Sequence, residues 1–409
     1  MPPFDTQSPA SNSAAKRILW IGSMVSGFNT YQTSLIEILN HLEKRGYNVT
    51  LFGTRPKTPL SAKDPPVKTI FIPLKYKPAV SSIIFNLITT IFLPFYIAFF
   101  RPAFVFFQPD ITAVASVPAK LFSKATRTKF VLDIRSIPVE ITGFQGFLQK
   151  LGFDTSVNVA KRLFSGITII TPAMKEEICS AFKIDSDKVG VWTSGVSTVV
   201  FNPETYASAG LKLRRMLGLN DKFVVFYHGA LSATRGIFET TKAIISVKST
   251  NPEIVLFLLG SGSISGQLEE LVKKGQLEKN IIILKPVPYE EVPKYIAMSD
   301  VCISPLPFHH YWRFQSPLKV LEYMAMQKSI ILTATPAHKA MVGDEKCGLY
   351  ISSTKPEEIA KAIRFAYENR HQIEAWGKTG RRRVTEEYTW EKVAKDLDNY
   401  LEKIEKSAR

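Results

Sequence analysis

The segment Ser316-Pro317-Leu318-Lys319-Val320-Leu321-Glu322-Tyr323-Met324-Ala325-Met326 opens like a helix. Ser316 is a good N-cap, and Pro317 suits the first helical position, where a missing N–H costs nothing. Before it, Asp300-Val301-Cys302-Ile303-Ser304-Pro305-Leu306 reads as a buried strand ending at a proline; after it, Ser329-Ile330-Ile331-Leu332-Thr333 reads as another. A helix that starts at a strand end directs N–H groups and a partial positive charge into a crevice, which is a phosphate site. Lys319 adds a full charge, and Glu322 lies three residues on along the same face. A carboxylate beside a phosphate is unfavourable unless it accepts hydrogen bonds from sugar hydroxyls. The economical ligand is a nucleotide, with its diphosphate on the helix end and its ribose on Glu322. The plain alternative is a capped α/β helix carrying a solvated Lys–Glu pair.

Working outward, the same rhythm recurs. Lys222-Phe223-Val224-Val225-Phe226-Tyr227-His228-Gly229 is a strand, followed by a loop with Arg235-Gly236 and a helix to about residue 248. Glu253–Gly260 and Asn280–Leu284 are further strands, the first closed by Ser261-Gly262-Ser263. Alternating strands and helices mean a doubly wound parallel sheet. The first half reads alike: strand 17–22, helix 30–45 closed by Gly46, strand 48–52, strand 129–136, strand 166–172 with its helix at 172–183, and strand 189–192. The opening βαβ lacks G-x-G-x-x-G, since Gly22 and Gly27 are spaced differently, which argues against a dinucleotide dehydrogenase.

With 409 residues the chain is too long for one ordinary core, so two α/β domains are expected. The 45% hydrophobic and 22% charged composition is too apolar for disorder, except over residues 1–15, read as a disordered tail. That tail has no apolar core after a basic start, so it is not read as a signal peptide. A net charge of +16 calls for an anionic partner: nucleotide phosphates or acidic lipid head groups before nucleic acid, for which no reading motif is present. The widely spaced Cys179, Cys302 and Cys347 form neither a disulfide framework nor a zinc pattern, which suits a reducing, cytoplasmic compartment. No metal is expected, and Asp185-Ser186-Asp187 reads as a turn or cap rather than a metal-binding D-x-D.

Residues 79–107 are the most unusual run. From Ile83 to Phe100 there is no charge, yet spanning a bilayer takes about 20 apolar residues. Three readings stand: a helix on a membrane surface, favoured by its aromatic content and the flanking Lys75, Lys77 and Arg101; a buried helix followed by strand 104–107; or a membrane span. Residues 143–166 are amphipathic and basic.

Five motifs in order now carry a family resemblance: Tyr227-His228-Gly229-Ala230-Leu231 with Arg235-Gly236; Leu259-Gly260-Ser261-Gly262; Val287-Pro288 with Val292-Pro293-Lys294-Tyr295; Ala297-Met298-Ser299-Asp300-Val301; and Ser316 to Ala325. The chain resembles the GT-B glycosyltransferases of family 4 (glycosyl transferases group 1), well over 220–400 and more weakly before, where Val191–Val196 looks like the family's hinge. The resemblance implies two Rossmann-like domains facing a cleft, with a C-terminal helix crossing back to the N-domain. Their bounds would be 16–197 for the acceptor side, 198–387 for the nucleotide-sugar side and 388–409 for the crossing helix. It implies sugar transfer with retention and without metal, from a nucleotide-sugar donor, UDP- or GDP-linked, to a glycan or lipid-linked acceptor at the cytoplasmic face of a membrane. Donor contacts fall on Gly229, Arg235, Gly260, Gly262, Ser316, Pro317, Leu318, Lys319 and Glu322. Arg235 and Lys319 would stabilise the leaving diphosphate, and Asp133 and Arg135 lie near the position of the family's N-domain histidine. Two departures stand out. Phe314 replaces the first glutamate of E-x7-E, leaving His309, His310 or Gln315 to meet the donor sugar; Ala230 replaces one of two basic residues. A catalytically silent binding subunit, or less readily an epimerase of nucleotide sugars, is the competing expectation.

Overall fold

The computed structural model describes residues 15–22, 30–54, 67–74, 78–138, 143–343 and 345–407. Residues 1–14 of the expected tail, the loop Ser23–Phe28 with Gly27, and the flanking Lys75 and Lys77 lie outside the described residues. The chain forms two compact units: Met1–Ile134, Glu140–Thr168 and Leu401–Arg409 make the first, Arg135–Val139 and Ile169–Tyr400 the second.

Seven strands form the first sheet: β1 (Lys16–Gly22), β2 (Tyr47–Thr54), β3 (Lys68–Ile72), β4 (Phe104–Phe107), β5 (Lys129–Ile134), β6 (Gly166–Ile169) and β7 (Val189–Val191). Their order is β3-β2-β1-β4-β5-β6-β7. Trp20 of β1 sits opposite Leu51 of β2 and Phe106 of β4 in parallel register, and its ring stacks on Phe106 with centroids 4.0 Å apart. Continuous apolar runs such as Phe104-Val105-Phe106-Phe107 are what a parallel sheet covered on both faces requires.

The second sheet holds β8 (Phe223–His228), β9 (Ile254–Leu259), β10 (Ile281–Leu284), β11 (Val301–Ser304), β12 (Ile330–Thr333) and β13 (Gly348–Ile351). Its order is β10-β9-β8-β11-β12-β13, every pair parallel. The chain winds outward from β8 through β9 to β10, then returns to β11 beside β8 and winds the other way. The C-terminal ends of β8 and β11 therefore flank a topological switch point, where doubly wound sheets leave a crevice for ligands. The expected α/β doubly wound class is what the structure has, in both sheets.

The run 79–107 is a helix, Pro78–Phe100, followed by strand β4. Asp185 caps a short 3-10 turn by accepting from Asp187 N at 2.9 Å, as a turn role requires. The last helix, Trp390–Lys406, packs in the second unit through Trp390 and Tyr400, against Gly195 and Gly190, while Glu405 pairs with Lys16 of β1 in the first unit at 2.6 Å.

Candidate active site

The helix that follows β11 begins one residue later than the sequence predicts. It runs Leu318–Ala325, with Pro317 in the capping position and no side-chain cap. Ser316 is therefore not an N-cap. Its hydroxyl lies 3.1 Å from Thr193 Oγ1 and accepts from Ser194 N at 3.3 Å, while Ser194 Oγ donates to the Ser316 carbonyl at 3.1 Å. The serine fastens a neighbouring loop instead, and the amides of Leu318 and Lys319 precede the first intrahelical bond, Val320 N to Pro317 O. The helix start remains an anion-attracting end, without a competing side-chain oxygen.

Two cations gather there. The Lys319 ammonium lies 3.7 Å above the Tyr227 ring, and a Cβ on Gly229 would meet its Nζ at 3.1 Å. Arg235 ends a 3-10 turn, Ala233–Arg235, with its guanidinium 5.1 Å from the Trp312 ring. Desolvation pulls the Lys319 pKa well below the usual lysine range, the Arg235 charge pulls the same way, and Glu322 opposes both. Burial pushes the Tyr227 hydroxyl up to about 12, and it donates to Ala230 O at 2.9 Å. The basic residue missing at Ala230 thus has a spatial counterpart in Lys319, which reaches the same strand end from another element.

Glu322 is not part of a solvated pair. It is 3% exposed; Oε2 is 2.7 Å from His228 Nε2, and Oε1 accepts from Tyr289 Oη at 3.1 Å. Tyr323 is fully buried, and its hydroxyl accepts the His228 backbone N–H at 3.0 Å and faces Nδ1 at 3.1 Å. Sequence reading missed His228, Tyr289 and Trp312 as parts of this site. His228 carried a signal, being a polar residue at a strand end beside a glycine; Tyr289 and Trp312 carried none, because long-range packing brings them in.

The glycines are explained first by backbone packing. Gly229 has φ +118°, a conformation that favours glycine. A Cβ on Gly260 would lie 1.9 Å from Gly229 O, and one on Gly262 2.2 Å from Leu231 O. The loops after β8 and β9 run against each other, joined by Leu231 N to Ser261 O at 3.0 Å.

The remaining candidates are more scattered. His309 and His310 are exposed, the first capping and the second opening the turn His310–Phe314; His309 stacks on Tyr311 with centroids 4.4 Å apart, and His310 meets Phe314 edge-on. Gln315 is half-buried just after that turn. Phe314 is fully buried, and its carbonyl accepts from Thr171 Oγ1 at 3.0 Å. Asp133 is fully buried in the first unit and accepts from Thr168 Oγ1 at 2.7 Å. Arg135 belongs to the second unit, where its guanidinium lies 3.4 Å over the Trp192 ring and donates to Trp192 O at 2.6 Å. Both have firm structural partners. Among the described residues, no group of three or more His, Cys, Asp or Glu is arranged to hold a metal.

Comparison with known proteins bears on this geometry. Residues 212–383 match the family model for glycosyl transferases group 1. The chain is 24% identical over 379 residues to the putative glycosyltransferase YtcC of Bacillus subtilis, covering 88% of this chain and 84% of that protein. It is 22% identical over 234 residues to the uncharacterized glycosyltransferase MJ1607 of Methanocaldococcus jannaschii, a match that spans 57% of this chain and 58% of that protein's length. Among solved structures, a glycosyltransferase from Rickettsia africae superposes with TM-score 0.76 at 15% identity over 96% of this chain and 99% of that one. Alr3699/HepE of Anabaena, solved with UDP and glucose, gives TM-score 0.70 at 15% identity, with 94% and 99% covered. The fold is the GT-B architecture of these structures, and residues 212–383 are similar to the glycosyl transferases of group 1.

Proposed function

We propose that the chain is a retaining, metal-independent glycosyltransferase of family 4, moving a hexosyl group from a UDP- or GDP-sugar to a membrane-associated acceptor. The acceptor class is a growing polysaccharide, a glycolipid or a lipid-linked glycan. The observation that carries the reading is Lys319 beside Gly229, at a helix start and a switch point, strained first by its burial and then by the Arg235 charge. A diphosphate relieves that strain on binding and, as it leaves, takes on charge that these groups stabilise. This supports a departure that needs no Mg²⁺. Glu322 keeps lone pairs beyond those used by His228 and Tyr289, which supports a ribose contact. Solved HepE with UDP-glucose supports the donor class by likeness. The three free cysteines support a reducing compartment, and we place the enzyme peripherally on the cytoplasmic face of the membrane.

A catalytically silent binding subunit is favoured by Phe314, which puts a buried aromatic ring at the position of the family's first glutamate. The experiment is a thermal-shift and NMR panel of UDP, GDP, ADP and their sugar conjugates, with chelator present. It is run on wild type, Glu322→Gln and Lys319→Ala. One base raising stability by mass action, with slow sugar transfer or donor hydrolysis, supports the enzyme. Binding without turnover supports the silent subunit, sugar isomerisation an epimerase, and no binding at all sinks the donor site.

A further inference from the structure

The helix Pro78–Phe100 has two apolar faces. Phe85, Thr89, Leu93 and Ile97 are fully buried, and Phe52 of β2 stacks on Phe92 with centroids 4.4 Å apart. On the other side Ile83, Leu87, Ile91, Phe95 and Phe99, spaced every four residues, are 60 to 77% exposed. Length and composition alone would let Val80–Phe100 cross a bilayer. Its position forbids that: one face, with Phe85, Leu93 and Ile97, is packed into the first unit, so lipid cannot surround it.

This exposed face does not stand alone. The helix packs along the helix Ser116–Thr126 and the turn Ile111–Ala115, against which the helix Gly143–Leu163 also packs. Asn86 Nδ2 donates to Ile111 O at 2.7 Å, and a Cβ on Gly152 would lie 3.5 Å from Ile111 N. Ile111, itself exposed, therefore bridges the first helix to the third. The second helix exposes Val117, Leu121 and Phe122; the third exposes Phe144, Phe147, Leu148 and Leu151. Three neighbouring helices thus turn large apolar side chains outward, many of them aromatic, on a scale that marks an interaction surface. Across Pro78–Arg127 and Gly143–Leu163 the basic residues are Arg101, Lys120, Lys124, Arg127, Lys150, Lys161 and Arg162, against only Asp110 and Asp154. Asp110 caps the turn at Thr112, and Asp154 pairs with Lys150.

We propose that this three-helix face inserts into one leaflet of an anionic membrane, with Pro78–Phe100 lying in the plane of the surface. The apolar side chains enter the acyl boundary, and the lysines and arginines around them meet acidic head groups. A second copy of the chain is a poorer occupant, since it would bring two basic surfaces together. The face gives the membrane part of the proposed function its contact surface, but its recognition chemistry involves no sugar.

The test is sedimentation of the full chain with vesicles of phosphatidylcholine, with and without phosphatidylglycerol. Wild type should pellet with the anionic vesicles and release at high salt. Ile91→Glu with Phe95→Glu, and separately Phe144→Glu with Phe147→Glu, should each weaken partitioning at least about tenfold. Val199→Glu, at an exposed apolar residue of the second unit, should not. Nucleotide thermal shifts should be the same in all these variants, so failure of the surface and failure of the donor site are read separately. Nitroxides at Ile83, Ile91 and Phe99, in a Cys179→Ser background, should report one common depth. Three graded depths would mean a span and overturn the proposal. It is equally overturned if the Phe144 and Phe147 variant pellets like wild type. A vesicle-independent dimer dissolved by the same substitutions would assign the face to a second copy.

Discussion

His228 Nε2 and Glu322 Oε2 are 2.7 Å apart, and the groups around them fix which ring nitrogen bears the hydrogen. Tyr323 Oη already accepts the His228 backbone N–H, which leaves its own hydrogen for Nδ1. The imidazole hydrogen therefore belongs on Nε2, donated to the carboxylate. Glu322→Ala leaves that donor facing a buried void. It should cost about 1–3 kcal/mol in denaturant unfolding, as well as donor affinity. Glu322→Gln keeps an acceptor and should recover most of the stability but not the binding. If both variants bind nucleotide like wild type, the ribose assignment fails.

Lys319 offers a test by proton counting. Its pKa lies well below the usual lysine value in the folded chain, so the unfolded chain binds more protons between the folded pKa and the ordinary lysine pKa of about 10.4. The charge costs stability below that window, and the cost is relieved as pH rises through it. Lys319→Met should therefore raise the ligand-free Tm while destroying diphosphate affinity. Calorimetry in two buffers of different ionisation enthalpy should show proton uptake on nucleotide binding above the folded pKa. Equal heats in both buffers would contradict the strained-lysine picture.

His338 is a buried neutral imidazole, facing Thr333 O at 2.7 Å through Nδ1 and Ser304 Oγ at 3.1 Å through Nε2. Burial holds its pKa at about 4, with the Lys319 charge acting the same way and the Thr333 bond against it. Above pH 6.5 the residue is neutral in both states and has no effect. As pH falls from 6.5 to 4 only the unfolded chain protonates, so stability falls by up to about 3 kcal/mol. Urea unfolding across that range should show the slope, and His338→Asn should flatten it.

Gly260 and Gly266 separate packing from propensity. A methyl on Gly260 collides with the Gly229 carbonyl, so Gly260→Ala should lose about 1–3 kcal/mol and loosen the strand end that faces Lys319. Gly266 lies in the helix Ser265–Lys274 with open space around it, so Gly266→Ala should gain about 0.4–1 kcal/mol. Thermal denaturation of the two variants ranks them directly.

Apolar runs bounded by glycine and proline made most strands of both sheets legible, because a strand covered on both faces has no polar residue to obscure it. The edge strands β3 and β13 escaped that reading: their residues are mostly half-buried and mixed in character. The helices Pro203–Met216 and Arg370–Glu387 were likewise unread, since few large apolar residues mark a face on either. Within the site, Arg235, Lys319 and Glu322 could be singled out because charged residues at strand ends and helix starts have few structural reasons to be there. Ser316 misled, since a serine before a proline satisfies the rules for a cap; its true partners, Thr193 and Ser194, lie more than a hundred residues away. Arg135 misled similarly, its partner Trp192 being 57 residues distant.

Ser316 also has a mechanical meaning. It grips residues 193 and 194 with three contacts while standing two positions before the first residue of the helix that faces the crevice. Val196 is tied in turn to Tyr388 by its backbone N–H at 2.9 Å. A pull on the helix start is therefore passed to this loop through hydrogen bonds. The stretch can serve as a strain gauge: slower amide exchange at Ser194 and Val196 would register an occupied site from outside it.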